Sequence, residues 1–151
     1  MLGRRVRPRA RRSPRSARPR PLILIVEDQR DQRDIYARYL IWRGFRVQTA
    51  TDGQQALSMA RDSHPDLIVM DLALPHLDGW QATRRLKGDS HTWDIPILAC
   101  TAHVLRGSLE RALDSGCDAW LVKPCLPEDL HAEISRVLSR PRPRGPQQVS
   151  L

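Results

Sequence analysis

Four short apolar runs, each closing on a polar residue of a different chemical kind, constrain this chain more than any other feature. Leu22–Val26 leads into Glu27 and Asp28, 67–70 into Asp71, 97–100 into Thr101, and Ala119–Val122 into Lys123. Apolar runs of this length between helical patterns read as strands buried on both faces of a parallel sheet. Parallel strands bring their carboxyl ends to one edge, where ligands bind. The pattern therefore predicts three carboxylates, a hydroxyl and an amine at one place, a set suited to a divalent cation and a phosphoryl group.

The stretches between the runs carry helical spacing. Residues 29–43 place Ile35, Tyr39 and Trp42 on one side, with Tyr36 and Leu40 beside them, and Gly44 follows as a stop. Residues 45–49 form a short, more polar strand expected near an edge. Thr51-Asp52-Gly53 turns into a helix with Ala56, Leu57 and Ala60, which His64-Pro65 ends. A loop from Asp71 to Gly79 leads to a helix reaching about Gly88, and a further helix spans about 104–115. The last helix opens near Pro127-Glu128-Asp129 and sets Leu130, Ile134, Val137 and Leu138 on one face. Five strand–helix units in one domain of 151 residues predict an α/β, doubly wound sheet with helices on both faces.

Charge divides the chain into three parts. Of the 25 Lys and Arg, nine lie in residues 1–21 and three in 140–151, which leaves 13 for residues 22–139 against all 17 Asp and Glu. The net +8 thus belongs to the ends, and the middle is mildly acidic. Residues 1–20 and 141–151, built mainly from Arg, Pro, Ser, Gly and Gln, bury too little apolar surface to offset ordering and are expected to be disordered. The folded domain is expected over 21–140. No run approaches the roughly 20 apolar residues of a membrane span, and Leu22–Val26 is too short for a secretory signal. Cys100, Cys117 and Cys125 are odd in number and lack metal-type spacing, so reduced thiols in a cytoplasm are expected, with nothing in the neighbouring sequence marking Cys125 as reactive.

Glu27-Asp28, Asp71, Thr101 and Lys123-Pro124, each at a strand end, resemble the receiver domain of two-component response regulators. The resemblance covers about residues 21–140. Asp71-Leu-Ala-Leu-Pro75-His-Leu-Asp78-Gly79 is similar to the loop after that family's phosphoacceptor, and Thr101-Ala102 matches its hydroxyl followed by a small residue. The resemblance implies a flavodoxin-like fold with strand order 2-1-3-4-5. It implies Asp71 as the nucleophile that forms an acyl phosphate and Mg²⁺ as the cofactor. The metal ligands would be Asp28, Asp71 and the Ala73 backbone carbonyl, with Glu27 acting mostly through water. Thr101 would donate a hydroxyl hydrogen bond to the phosphoryl oxygens and Lys123 would place its charge beside them. The Lys123–Pro124 bond would be cis, which helps aim the lysine. Thr101 and Trp120 would form the switch, with Trp120 at a position where most relatives carry Tyr or Phe, and His103, Ala102 and Ala73 would border the site.

Taken singly, each of these residues has a structural reading: an acidic pair at a helix start, a Thr at a strand end, a solvated Lys. Their joint order favours function. Because no output region follows Ser139, the expectation is a single-domain regulator, not a conventional enzyme. It would take phosphoryl groups from a histidine kinase or histidine phosphotransfer protein and bind partners through 104–115, Ala119–Val122 and 128–139, with dimer formation on activation a further option. A phosphorelay intermediate is the alternative. The Arg-rich arm offers a second alternative, salt-dependent contact with nucleic acid, weakened by the lack of interleaved aromatics. A haloacid-dehalogenase-type phosphatase fits poorly, since the second Asp it needs is here Ala73.

Overall fold

A computed structural model describes residues 19–102, 110–111 and 114–142. Five parallel strands, β1 (Leu22–Val26), β2 (Arg46–Ala50), β3 (Leu67–Asp71), β4 (Ile97–Thr101) and β5 (Ala119–Val122), lie in the order 2-1-3-4-5. The described helices are α1 (Arg30–Trp42), α2 (Gly53–Ser63), α3 (Gly79–Gly88) and α4 (Pro127–Leu138). The expected helix over 104–115, His103 and most of both chain ends fall outside the described residues.

Alternation along the strands explains the two layers. Leu24, Val26, Ile68 and Met70 face α2 and α3, packing with Ala56, Ala60, Ala82 and Leu86. Their neighbours Ile23, Ile25, Leu67, Val69 and Leu98 face the other way, onto Tyr36 and Leu40 of α1 and Leu130, Ile134 and Val137 of α4. Successive side chains on a strand point to opposite faces, so an unbroken apolar run is the signature of a strand covered on both sides. The more polar β2 starts one residue later than its sequence suggests and forms an edge, with Arg46 and Thr49 exposed.

Local chemistry sets the helix starts. The Asp52 and Asp78 carboxylates accept the Gln55 and Gln81 amides, each at 2.8 Å, and cap α2 and α3. Pro127 opens α4, with Glu128 and Asp129 in its first turn. His64 ends α2 in the left-handed region (φ 43°). β1 pairs with both β2 and β3, so the strand order reverses there. That reversal opens a crevice at the carboxyl ends of β1 and β3.

Candidate functional site

β1 ends at Val26 and delivers Glu27 and Asp28 to the crevice, while β3 ends on Asp71 itself. The ladders pair Val26 with Met70 and Asp71 with Cys100, setting the ends of β1, β3 and β4 side by side. The Glu27 amide donates to the Ala50 carbonyl at 3.0 Å and the Leu72 amide to the Cys100 carbonyl at 3.1 Å, so both acidic positions leave the sheet on anchored backbone. Glu27, Asp28 and Asp71 each bring a carboxylate oxygen to within 4.8 Å of the others. Glu27 and Asp71 are buried and Asp28 is exposed.

Lys123 closes the group from the far side. Its Nζ lies 2.5 Å from Glu27 Oε2 and 3.4 Å from Asp71 Oδ2. The Lys123 amide donates to the Thr101 carbonyl at 2.7 Å, which ties the segment after β5 to the end of β4. The Lys123–Pro124 peptide bond is cis. Asp71 Oδ1 accepts the Ala73 amide at 3.0 Å, and Glu27 Oε1 accepts the Gln29 amide at 3.2 Å. The two carboxylate oxygens of Asp71 therefore have different partners, a backbone amide and an ammonium.

The electrostatics follow from burial. Loss of solvent raises the Glu27 carboxyl above its ordinary range, and the Asp71 charge adds to this against the opposing Lys123 hydrogen bond. Burial works against the Lys123 ammonium, but its hydrogen bond to Glu27 and the Asp71 charge outweigh it and lift its pKa above the usual lysine value. Lys123 is thus firmly cationic beside two buried carboxylates. Hard oxygens clustered with one exposed member suit a divalent cation such as Mg²⁺ that keeps part of its water shell.

Of the residues expected at the site, Glu27, Asp28, Asp71, Ala73 and Lys123 converge. Thr101 closes β4 beside them, partly exposed, and Ala102 follows on the surface. Trp120 pairs with Ala99 in the β4–β5 ladder and is 40% exposed, so its ring lies outward.

Other contributors were not foreseen. Arg33 Nη1 donates to the Glu27 carbonyl at 3.0 Å and the Asp28 carbonyl at 3.4 Å, pinning the acidic pair from α1. A Cβ on Gly79 would lie 2.1 Å from the Asp71 carbonyl oxygen, so only glycine lets α3 start this close to the phosphoacceptor position. Cys125 departs from its expectation. Its thiol hydrogen-bonds with Cys100 and Tyr36, and these bonds draw it down to about 6 against the effect of burial.

A family model described as the response regulator receiver domain matches residues 23–135. This chain belongs to that family. It is 38% identical over 121 residues to response regulator MprA of Mycobacterium tuberculosis, a match covering 80% of this chain and 52% of that protein. The chain thus spans about half the length of the MprA proteins it matches. It is 36% identical over 102 residues to the polar-differentiation response regulator DivK of Brucella ovis, covering 68% of this chain and 83% of DivK. Among solved structures it resembles the receiver domain of the sensor histidine kinase PA1611 from Pseudomonas aeruginosa, with 34% identity, a TM-score of 0.75, and 80% and 99% of the two chains covered. In that protein a magnesium ion is coordinated in the active-site cleft. Among the described residues of the present receiver, no helix is long and apolar enough to cross a membrane.

Proposed function

We propose that this receiver accepts a phosphoryl group on Asp71 from a phosphohistidine of a histidine kinase or phosphotransfer protein and signals through phosphorylation-dependent binding of a protein partner in the cytoplasm. The observation that carries this reading is the position of Asp71: buried, ending the central strand, with an ammonium 3.4 Å from one oxygen and two further carboxylates beside it. An Asp71 oxygen attacks phosphorus as the bond to the donor imidazole nitrogen breaks, giving an acyl phosphate. The Ala73 amide holds Oδ1, which fixes the carboxylate plane during the attack. Lys123 neutralises the phosphoryl oxygens, and the Thr101 hydroxyl donates to them.

Mg²⁺ would be held by Asp28, Asp71 and the Ala73 carbonyl, with Glu27 reaching it through water; it supplies charge neutralisation for the phosphoryl oxygens. The three converging carboxylates support this set. Trp120, outward here, is the readout residue of this reading: it turns inward when Thr101 is drawn toward the phosphoryl group. His103, next to the Thr101-Ala102 pair in sequence, tunes the lifetime of the acyl phosphate together with Ala73.

Incubation with Mg²⁺ and acetyl phosphate, followed by intact mass, tests the proposal. One added phosphoryl group on the parent chain and none on Asp71→Asn is the expected result. Equal incorporation by both chains would overturn the assignment. Trp120 fluorescence should shift on Mg²⁺ addition or phosphorylation, and an unchanged signal would remove the moving-aromatic part alone.

A further inference from the structure

Two cysteines far apart in sequence meet behind the site. Cys100 lies on β4, one residue before Thr101, and its side chain is buried on the face covered by α1 and α4. Cys125 lies two residues after Lys123, half-buried, and packs against that same cluster. Their thiols hydrogen-bond to each other. The Tyr36 hydroxyl lies 3.1 Å from Cys125 Sγ and donates to the Cys125 carbonyl at 3.1 Å, so both the thiol and its backbone are held in position. Cys117 belongs to the core on the opposite face of the sheet.

We propose that Cys100 and Cys125 form a peroxide-responsive pair that closes to an intramolecular disulfide. The division of labour follows from exposure: Cys125 is the thiol a small oxidant can reach, and Cys100 is the buried partner that resolves it. The Cys125 thiolate attacks one oxygen of hydrogen peroxide. An S–O bond forms, the O–O bond breaks, and the departing hydroxide takes up a proton as water. Cys100 sulfur then attacks the Cys125 sulfenic sulfur, the S–S bond forms, and the second oxygen leaves as water with the Cys100 proton. Two thiols are oxidised by two electrons, and one peroxide is reduced to two waters.

Closure requires the sulfurs to move from hydrogen-bond separation to about 2 Å. The loop residue, with only part of its side chain in the core, supplies that movement. The Lys123 charge two residues away favours the thiolate that begins the sequence. The crosslink would tie the end of β4 to the segment carrying Lys123, a second tether beside the existing Lys123–Thr101 backbone bond. None of this depends on phosphoryl acceptance by Asp71.

The test exposes the full folded chain to hydrogen peroxide, quenches it, denatures it and labels the remaining thiols with a maleimide. Three labels before oxidation should fall to one afterwards, on Cys117, and dithiothreitol should restore all three. Proteolysis should recover a peptide linking Cys100 to Cys125. Cys117→Ser should still form that link, and Cys125→Ser, at a half-buried position, should not. Three labels surviving peroxide would overturn the proposal. So would a link involving Cys117, or a Cys125 sulfinic acid with Cys100 still free to label.

Discussion

The two edges of the sheet treat acidic side chains in opposite ways. At the amino edge, Asp66 accepts the Leu22 amide at 2.8 Å and pairs with Arg142 at 2.7 Å, and Asp118 accepts the Ile97 amide at 2.8 Å and pairs with Lys87 at 2.8 Å. Each has its own amide and its own cation, and about a third of each side chain meets solvent (34% and 38%). At the carboxyl edge, Glu27 and Asp71 are far more buried (3% and 7%), and among the described residues Lys123 is their shared ion-pair partner. The amino edge uses acids as clasps for strand starts. The carboxyl edge keeps a surplus of negative charge where solvent is scarce, an arrangement that stability alone does not favour. That surplus marks the functional edge.

The sharpest attack on this contrast is Lys123→Ala in metal-free buffer. It leaves two buried carboxylates without their cation and should cost about 3 kcal/mol in urea unfolding. Adding Glu27→Gln should recover part of that loss. Asp118→Ala should cost less, about 1.5 kcal/mol, because its ion pair is solvent-screened and mainly the Ile97 hydrogen bond is lost. If Asp118→Ala proves the more damaging of the two, the contrast between the edges fails. Asp71→Asn should have the opposite sign and stabilise the metal-free fold by about 1 kcal/mol, since it relieves charge repulsion at a site built for activity. A loss of stability there would mean that Lys123 already balances the trio.

The smallest effect concerns the thiol behind the functional edge. Cys125, lowered from its ordinary 9.0 to about 6, gains thiolate as pH rises through that value. Its alkylation rate should therefore be half-maximal near pH 6 and flat above it. Tyr36→Phe removes a hydrogen bond to the thiolate and should move the midpoint upward. A midpoint unchanged by that substitution would show that the tyrosine does not act on the thiol.

The strands buried on both faces were the most readable part of the chain, because a short run with no polar residue on either side of the pleat has to lie between two covering layers. β2 was misplaced by one residue, since an edge strand with exposed Arg46 and Thr49 lacks that signal. The acids and the lysine could be found because each directly follows or ends such a run. Arg33 could not, because a helical arginine has the same sequence signature whether it meets water or two backbone carbonyls. The Cys100–Cys125 contact arises only from the pairing of β4 with β5 and the path of the segment after Lys123, and a separation along the chain carries no trace of that. Gly79 was visible as part of an Asp-Gly turn, but its close approach to the Asp71 carbonyl depends on how the loop folds back.

Asp71 is still hydrogen-bonded within β3, the middle strand of the five. A group attached there sits on the stiffest beam of the molecule, flanked by a strand on either side. The beam cannot yield to a new charge, so adjustment has to travel sideways, toward the margin where β5 ends and Trp120 meets water. The receiver thus works like a fixed anvil with a compliant rim: the blow lands at the centre and the shape changes at the border.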